Sequence, residues 1–492
     1  MRASVWLAGV ACAIATLAGP APGSSADGAL RVQPCTQGRT KAPATCGTLR
    51  VLENRAHPGG RAISVRFIVL KAKHPSGRAV YMNPGGPGPT LPLAPFLADG
   101  ALAKELTVLR DRYDVVLIDG RGFGGSHAIP CVMNVPGKPA EYFRQLWPDA
   151  RLAACRRLRA ETSDLNAYTT NQAVDDLDEL RAALGYEKLV LDGYSYGTLF
   201  SLIYARTHPE RIESLVLDGV APPGIFRGPV EFAATSQASV SRLFAACRSD
   251  GVCHAAFPKF ERKFAAIVRR LSRGPMPVRV KNVVTHRIET VLLSREVFSD
   301  QLRHALYDPQ GASYVPYIID RAYAGDTLPL GTVIDTNARG FGGQTDWGAF
   351  FSYTCAEQMA FITPDEIRRT SGNSWYGDVR VRAQQHACAI WNVRPVARSF
   401  IDPVRSTAPA LLISGSDDPA TPPQYAAQEL RYLPNGRAVI VRGAAHGTQT
   451  PCTDTLKIQF VRAGSAKGLD TRTCSGAFAR PPFATSMKGF PG

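Results

Sequence analysis

The sequence lacks the residue patterns of several common protein classes. No two cysteines have Cys-x-x-Cys spacing and no two histidines are four residues apart, so the usual zinc-binding patterns are missing and no metal is expected. Beyond the first two dozen residues there is no run of 18 apolar residues, and we therefore expect no transmembrane helix. With 45% hydrophobic and 20% charged residues and no repeat or low-complexity segment, the 492 residues predict a folded chain.

Acidic residues are scarce relative to basic ones. The chain has 57 Lys and Arg residues against 41 Asp and Glu residues, which gives a formal net charge of +16. Such an excess could attract nucleic acid or an anionic surface. The basic residues are spread along the whole length without a basic run or a nucleic-acid-binding module, so no nucleic-acid partner is predicted.

The first 26 residues have the pattern of a secretory signal peptide. Arg2 precedes an apolar run from Val5 to Ala18, and Gly-Pro-Ala-Pro-Gly-Ser-Ser-Ala then leads to a cleavage site near Ala26. A buried N-terminal helix would not need this tail of proline and small residues, and a lipoprotein signal ending at Cys12 would cut the apolar run short. The sequence therefore predicts a secreted or periplasmic protein.

Cysteines number 11, and removal of Cys12 with the signal peptide leaves an even ten. An even number in an exported chain favours disulfides. The sequence alone does not determine their connectivity, and pairing between neighbours along the chain is the preferred hypothesis. These pairs are Cys35/Cys46, Cys131/Cys155, Cys247/Cys253, Cys355/Cys388 and Cys452/Cys474.

Short apolar strands alternate with helical stretches from Ile63 to about Asp218. The clearest helix is predicted over Asn171 to Leu184, with Thr169 and Gln172 as a possible capping box. This alternation predicts an α/β fold with a mainly parallel sheet and crossover helices. The predicted strands are Ile63 to Leu70, Ala79 to Met82, Val115 to Ile118, Leu189 to Leu191 and Leu215 to Leu217.

The next part of the chain, about 180 residues, has mostly helical periodicity. Strands are then predicted again over Ala408 to Ser414 and Ala438 to Val441, which would complete the first sheet. We therefore expect residues 27–220 to form the first part of a core domain, residues 221–400 an inserted helical cap, and residues 401–492 the rest of the core.

The segment Gly193-Tyr194-Ser195-Tyr196-Gly197 lies between a predicted strand and an apolar helix. A Gly-x-Ser-x-Gly turn in this context presents its serine above the edge of the sheet, where the hydroxyl is accessible to substrate. The Gly-x-Ser-x-Gly pattern alone is a weak indication, because it can occur by chance in a chain of this length. Its position between a predicted strand and a predicted helix makes a functional turn the better interpretation. Ser195 is therefore the candidate nucleophile.

A serine hydroxyl needs a histidine base and an acid that orients the histidine. Asp417 and Asp418 follow the predicted strand that ends at Ser414, and His446 follows the strand that ends at Val441. The order Ser, Asp, His is that of α/β-hydrolases, with each residue in a loop after a strand. His446 is the candidate base, and a surface histidine is the alternative interpretation.

Backbone donors for a developing oxyanion are predicted in two places. Asn83-Pro84-Gly85-Gly86-Pro87-Gly88 directly follows a predicted strand, and its glycines would let the backbone approach a substrate. We assign one donor to Gly86, with Gly85 as an open alternative, and the second to Tyr196. An ordinary Gly/Pro turn is the competing interpretation.

These segments resemble the secreted tripeptidyl-aminopeptidase branch of the α/β-hydrolases, which is related to the prolyl aminopeptidases. The resemblance implies a Ser195, Asp418 and His446 triad, and it favours Asp418 over Asp417 because the family's acid directly precedes a Pro-x-Thr-Pro turn. Gly120 stands where the prolyl branch has Gln, which makes a prolyl preference harder to transfer. The resemblance rests on the oxyanion and serine segments above, together with Asp119-Gly120-Arg121-Gly122-Phe123-Gly124-Gly125-Ser126 and Leu217-Asp218-Gly219-Val220.

An enzyme of this type must recognise a free amino terminus, and an acidic side chain suits that task. Cys355-Ala356-Glu357-Gln358 resembles the Cys-x-Asp/Glu element of these secreted enzymes, which makes Glu357 the candidate. The alternative is a solvated carboxylate beside a disulfide.

The leading hypothesis is a secreted serine hydrolase that removes short peptides or single residues from free peptide N-termini through an acyl-enzyme, without a cofactor. A carboxylesterase with the same triad is the first alternative, because one core serves both reactions and the cap determines specificity. A non-enzymatic binding protein is disfavoured, since it would have no reason to keep the triad and the glycine-rich loop together.

Overall fold

The computed structural model describes residues 29–490 apart from residues 102, 344, 373, 475 and 477. The predicted signal peptide over residues 1–26, with Cys12, lies outside the described residues. No helix in the described part of the chain is both long enough and apolar enough to cross a membrane.

A nine-stranded sheet forms the centre of the molecule, with strand order β1-β2-β3-β5-β4-β6-β7-β10-β11. Strands β4 to β7 with β10 and β11 pair in parallel, whereas β1, β2 and β3 add an antiparallel edge. The predicted mainly parallel α/β fold is confirmed, but β1 and β2 were not predicted. The strands of this sheet are β1 (Leu30–Gln37), β2 (Ala42–Leu52), β3 (Ala62–Leu70), β4 (Arg78–Asn83), β5 (Tyr113–Ile118), β6 (Leu189–Tyr194), β7 (Ile212–Asp218), β10 (Ala410–Gly415) and β11 (Gly436–Val441).

The central strands are buried on both faces, because helices cover the sheet from both sides. Leu189 and Leu191 of β6 pack in one hydrophobic core, whereas Val190 between them packs in a second. Successive side chains of a strand point to opposite faces, so a continuous apolar run supplies both cores. Because β4 to β7, β10 and β11 run parallel, their carboxyl ends lie at one edge of the sheet.

The helices of the described chain cover the sheet and fill the long connection from β7 to β10. They are α1 (Ala94–Ala98), α2 (Lys104–Leu109), α3 (Pro139–Tyr142), α4 (Asp149–Ala160), α5 (Thr170–Ala183), α6 (Tyr196–Thr207), α7 (Phe232–Ser249), α8 (Gly251–Ala256), α9 (Phe260–Ser272), α10 (Arg295–Ala305), α11 (Pro309–Ser313), α12 (Val315–Tyr323), α13 (Leu328–Gly342), α14 (Trp347–Glu357), α15 (Pro364–Ser371), α16 (Val379–Trp391), α17 (Pro423–Glu429) and α18 (Pro451–Ala463).

The connection from β7 to β10 also contains a two-stranded antiparallel hairpin of β8 (Met276–Lys281) and β9 (Ile288–Leu293). This hairpin was not predicted, because residues 221–400 were expected to be mostly helical. Met276, Val278 and Val280 point inward and alternate with exposed residues, which is the period of a strand. Apolar and polar residues alternate over only six positions in β8, which is a weak indication of a strand between two long helical patterns.

Helix α5 shows a second difference from expectation. Thr169 Oγ1 accepts a hydrogen bond from the Gln172 backbone N–H at 3.5 Å, so the predicted N-cap is correct. The Gln172 side chain does not complete a capping box, because its Oε1 accepts from Arg55 at 3.0 Å and from Arg121 at 3.4 Å. Contacts with Arg55 and Arg121, which are distant in the sequence, therefore replace the expected bond between the Gln172 side chain and the Thr169 backbone.

Five disulfides join neighbouring cysteines along the chain, as predicted. They are Cys35–Cys46, Cys131–Cys155, Cys247–Cys253, Cys355–Cys388 and Cys452–Cys474. The Cys355–Cys388 bridge links α14 to α16, two helices of the connection from β7 to β10.

Candidate active site

Four loops at the carboxyl ends of β4, β6, β10 and β11 bring the predicted site residues together. Gly86 follows β4, Ser195 follows β6, Asp418 follows β10 and His446 follows β11. Because these strands run parallel, their ends meet at one edge of the sheet.

Ser195 lies on a sharp turn between β6 and α6, with φ 55° and ψ −121°. A non-glycine residue in this region of backbone space carries strain, which is characteristic of functional turns. The turn is closed by two glycines. A Cβ at Gly193 would overlap the carbonyl of Gly197, and a Cβ at Gly197 would overlap the carbonyl of Asn83.

His446 bridges Ser195 and Asp418. Its Nε2 lies 2.9 Å from Ser195 Oγ and its Nδ1 lies 2.8 Å from Asp418 Oδ2. Both distances are within normal hydrogen-bond range. Asp418 lies 28 positions and Ser195 lies 251 positions before His446 in the sequence, yet hydrogen bonds connect the three side chains.

Asp418 is buried and is held by several donors. Its Oδ1 accepts from the backbone N–H groups of Ala420 at 2.7 Å and Thr421 at 2.9 Å. Its Oδ2 also accepts from Thr421 Oγ1 at 2.8 Å. Burial alone would raise the pKa of Asp418, but His446 and these donors hold the pKa below its ordinary value.

Asp417, the other acid considered, does not reach His446. Its carboxylate pairs with Arg480 and, at 3.0 Å, with Arg242. The structure therefore brings Asp418 rather than Asp417 into the chain of hydrogen bonds.

Two tyrosines enclose the His446 ring. The Tyr194 and Tyr307 ring centroids lie 5.0 Å and 4.7 Å from that of His446. The backbone carbonyl of His446 accepts from the Tyr194 hydroxyl, and its backbone N–H donates to the Tyr307 carbonyl at 2.9 Å. These contacts restrict the orientation of the imidazole.

Gly86 and Tyr196 are the two residues whose backbone N–H groups the sequence predicts as oxyanion donors. The N–H of Gly85 donates to Asn83 Oδ1 at 3.1 Å, so this group is already engaged, which favours Gly86 over Gly85 as the candidate donor. Tyr196 is the first residue of α6, and its N–H has no intrahelical acceptor. Gly86 adopts φ 115°, a backbone conformation that favours glycine.

A cavity of about 510 Å³ opens above Ser195 and His446. This volume is typical of small-ligand sites. Residues from the connection between β7 and β10 contribute much of the wall, including Phe232, Arg303 and Glu357. Ser195 and His446 therefore border a space large enough for a short substrate.

Glu357 lies in the wall of this cavity and is buried. Both of its oxygens are held by Thr170: Oε1 accepts from the backbone N–H, and Oε2 accepts from Oγ1 at 2.9 Å. Burial raises the pKa of Glu357 to about 8, although the two bonds from Thr170 lower it. The alternative of a solvated carboxylate is wrong, because Glu357 is only 2% exposed.

The described lining of the cavity contains one other carboxylate, Asp300, and it is already paired. Asp300 Oδ1 accepts from Arg380 Nε at 3.0 Å. Glu357 has no such ion pair among the described residues.

Sequence reasoning missed Thr170, Thr421, Arg303 and Tyr307. Thr170 Oγ1 also lies 2.7 Å from the Tyr196 hydroxyl, which links Glu357 to the residue after Ser195. Thr421 lies within the Pro-x-Thr-Pro turn after Asp418, so this motif could have predicted that Thr421 contacts Asp418. The other three carry no local motif.

Two family models match the chain. Residues 78–253 match a model described as alpha/beta hydrolase fold, and residues 373–474 match one described as TAP-like protein. The chain is an α/β-hydrolase. The resemblance inferred from the motifs is thereby confirmed.

Three relatives of this α/β-hydrolase carry protease or peptidase names. Serine protease Hip1 of Mycobacterium tuberculosis is 24% identical over 422 residues, which cover 77% of this chain and 77% of that protein. Tripeptidyl aminopeptidase of Streptomyces lividans is 31% identical over 201 residues, which cover 37% of this chain and 36% of that protein. Proline iminopeptidase of Neisseria gonorrhoeae is 27% identical over 210 residues, which cover 42% of this chain and 52% of that protein. These three relatives are thus named as a serine protease and as two peptidases.

Proposed function

We propose that this protein is a secreted serine aminopeptidase that releases short peptides or single residues from free peptide N-termini. The observation that carries the proposal is the hydrogen-bonded chain Ser195–His446–Asp418 at the wall of the cavity. The peptidase names of its relatives support peptides as the substrate class.

The proposed reaction begins at Ser195. His446 Nε2 removes the proton from Ser195 Oγ as the oxygen attacks the carbonyl carbon of the substrate. Asp418 holds the Nδ1–H of the imidazole and stabilises the imidazolium that forms. The tyrosine rings beside His446 limit its rotation during this transfer.

The carbonyl oxygen becomes an oxyanion in the tetrahedral intermediate. We assign its two donors to the backbone N–H groups of Gly86 and Tyr196, each worth about 3 kcal/mol of barrier. His446 then gives its proton to the leaving amine, the C–N bond breaks and an acyl-Ser195 remains. Water, activated by His446, releases the acyl group and restores the hydroxyl.

Glu357 is proposed to bind the free amino terminus. Its buried carboxyl group lacks a cationic partner among the described residues, and burial therefore favours the protonated form. A bound ammonium group would supply that partner and favour the carboxylate. Thr170 orients both carboxylate oxygens through the bonds described above. An acetylated N-terminus carries no positive charge, so it would leave the buried Glu357 without a cationic partner.

The proposed organisation follows from this assignment. Residues 27–220 and 401–492 would form the catalytic core, and residues 221–400 the cap that carries Glu357. A cleaved signal over residues 1–26 would deliver the chain outside the cytoplasm, in agreement with its five disulfides. Extracellular and periplasmic sites are both compatible with such a signal.

The test is a comparison of kcat/KM on three matched chromogenic sets: peptide p-nitroanilides with a free N-terminus, their N-acetyl forms, and short-chain acyl esters. We expect a preference of at least about 10-fold for the free amine, because a buried charge pair is lost on acetylation. Glu357→Gln should remove this preference, and Ser195→Ala should abolish turnover.

Other outcomes would lead to different conclusions. Equal rates on free and acetylated peptides with fast ester cleavage would support the carboxylesterase and remove the proposed role of Glu357. Turnover by Ser195→Ala equal to that of the parent would overturn the site itself.

A further inference from the structure

The cavity above Ser195 contains a buried arginine that the proposed reaction does not use. Arg303 of α10 lines the cavity and is 3% exposed. Its guanidinium carbon lies 3.6 Å from the Phe232 ring centroid and 4.8 Å from that of Tyr307. Its Nη1 donates to the Tyr307 hydroxyl. The rings therefore hold the guanidinium in place without neutralising it.

Arg303 has no carboxylate within ion-pair distance among the residues that the structure describes. Its Nε is buried without a hydrogen-bond partner. Asp300, one turn earlier on α10, is bound instead by Arg380 at 3.0 Å and lies 3.8 Å from His304. A buried charge is costly unless it is paired, so an unpaired guanidinium in a cavity wall indicates an anionic ligand.

The charges around Arg303 leave an excess of one positive charge on this part of the wall. Arg303 and Arg380 are opposed by the single carboxylate of Asp300. His304 does not add to the excess at neutral pH, because burial lowers its pKa to about 4. Among the described lining residues, Glu357 is the one remaining acid and is held by Thr170. The cavity thus offers a ligand one guanidinium group, that of Arg303, and one carboxyl group, that of Glu357.

Tyr307 connects Arg303 to the base of the proposed reaction. Its hydroxyl accepts from Arg303, its ring packs against His446, and its carbonyl accepts from the His446 N–H at 2.9 Å. His446 is the group that protonates the leaving amine in the proposed reaction. Arg303 is therefore placed near the leaving group of the substrate.

We propose that Arg303 binds the C-terminal carboxylate of the leaving group, so that the preferred substrates are short peptides with both ends free. This inference rests on the proposed aminopeptidase function. Glu357 would hold the ammonium end and Arg303 the carboxylate end of a peptide enclosed in the cavity. A guanidinium is well suited to this task, since its fork of N–H groups matches a carboxylate.

The test uses alanine peptides of two to five residues, each as the free acid and as the C-terminal amide, with product analysis by mass spectrometry. The wild-type protein should cleave the acids with a kcat/KM about 10- to 100-fold above that of the amides, as expected for a hydrogen-bonded charge pair. A third series, amides that end in Asp, distinguishes a terminal carboxylate from a side-chain carboxylate.

Arg303→Met should lower the ratio of acid to amide cleavage toward one, and Arg303→Lys should retain part of it. Arg295→Met is the matched control, because Arg295 lies on the same helix but outside the cavity lining. It should keep the wild-type ratio. The comparison on the wild-type protein does not depend on whether Arg303→Met folds.

Each contrary result has a separate meaning. Equal cleavage of acids and amides by the wild-type protein would overturn the role of Arg303 while leaving the aminopeptidase intact. Preference for amides ending in Asp over the free acids would overturn the assignment to the terminal carboxylate. No Ser195-dependent cleavage of any free-amine peptide would overturn the proposed function itself.

Discussion

The hydroxyl of Tyr194 donates a hydrogen bond to the backbone carbonyl of His446. The residue that precedes the candidate nucleophile therefore holds the loop that carries the candidate base, although the two are 252 positions apart. This bond couples the turn after β6 to the loop after β11.

Tyr194→Phe tests this coupling. The variant keeps the ring that packs against His446 and removes only the donor, at a cost of about 1 kcal/mol for one hydrogen bond. We expect kcat to fall roughly 5-fold with KM little changed, because substrate binding does not use this hydroxyl. Steady-state kinetics on a cleaved peptide measure both constants, and an unchanged kcat would show that the bond does not position His446.

Asp418→Asn should remove most of the activity, while Asp417→Asn should not. In Asp418→Asn the side-chain amide would still fill the site, but it would favour the wrong tautomer of His446, which costs about 10⁴-fold in kcat. Asp417 pairs with Arg242 and Arg480 rather than with His446 and is the neighbouring control. A larger loss from Asp417→Asn than from Asp418→Asn would reverse the assignment of the acid.

Gly197→Ala should disrupt the turn that presents Ser195. The added methyl would overlap the backbone carbonyl of Asn83, which cannot move without displacing the strand end. We expect the free energy of unfolding to fall by about 1–3 kcal/mol, the usual cost of forcing a group into a packed site. Gly251→Ala is the control, because nothing lies within 4 Å of the position that its added methyl would occupy. Urea unfolding of both variants provides the comparison.

Glu357→Gln should change how stability depends on pH. The pKa of Glu357 is raised by burial from its ordinary value of 4.5 to about 8, so the folded state binds a proton that the unfolded state releases. The contribution of the protonated group is therefore complete below pH 4.5 and is lost as pH rises toward about 8. Wild-type stability should fall by up to about 1.4 kcal/mol per pH unit relative to the variant in this range.

Urea unfolding of both proteins at pH 5, 6.5 and 8 measures this difference. The amide of Glu357→Gln does not titrate, which makes the variant the reference at each pH. Parallel stability curves for the two proteins would mean that Glu357 is ionised throughout and that a cationic partner compensates its burial.

The fold and the triad could be predicted from the sequence because their signals are local. The Gly193 to Gly197 turn, the Pro-x-Thr-Pro turn after Asp418 and the apolar strands each occupy fewer than a dozen residues and have a physical period or a required backbone shape. Strand β1 at the edge of the sheet escaped prediction because its residues are mostly exposed and give little apolar pattern. Strand β2 escaped because proline, threonine and glycine interrupt its apolar residues.

The walls of the cavity could not be predicted in the same way. Arg303 meets Phe232, and Thr170 meets Glu357 across 187 positions, so each contact depends on how distant helices pack. Burial determines the chemistry of Glu357, because it raises the pKa of the carboxyl group while Thr170 donates hydrogen bonds to both oxygens. No short segment around Arg303 or Thr170 carries that information.

The most direct test of the proposed mechanism is covalent labelling of the nucleophile. The protein would be treated with a fluorophosphonate, which reacts with an activated serine, and digested for mass spectrometry. We expect one adduct, on Ser195, that is absent from Ser195→Ala and strongly slowed in Asp418→Asn. Absence of labelling in the folded wild-type protein, or an adduct on another serine that accounts for its activity, would contradict the assignment of Ser195 as the nucleophile.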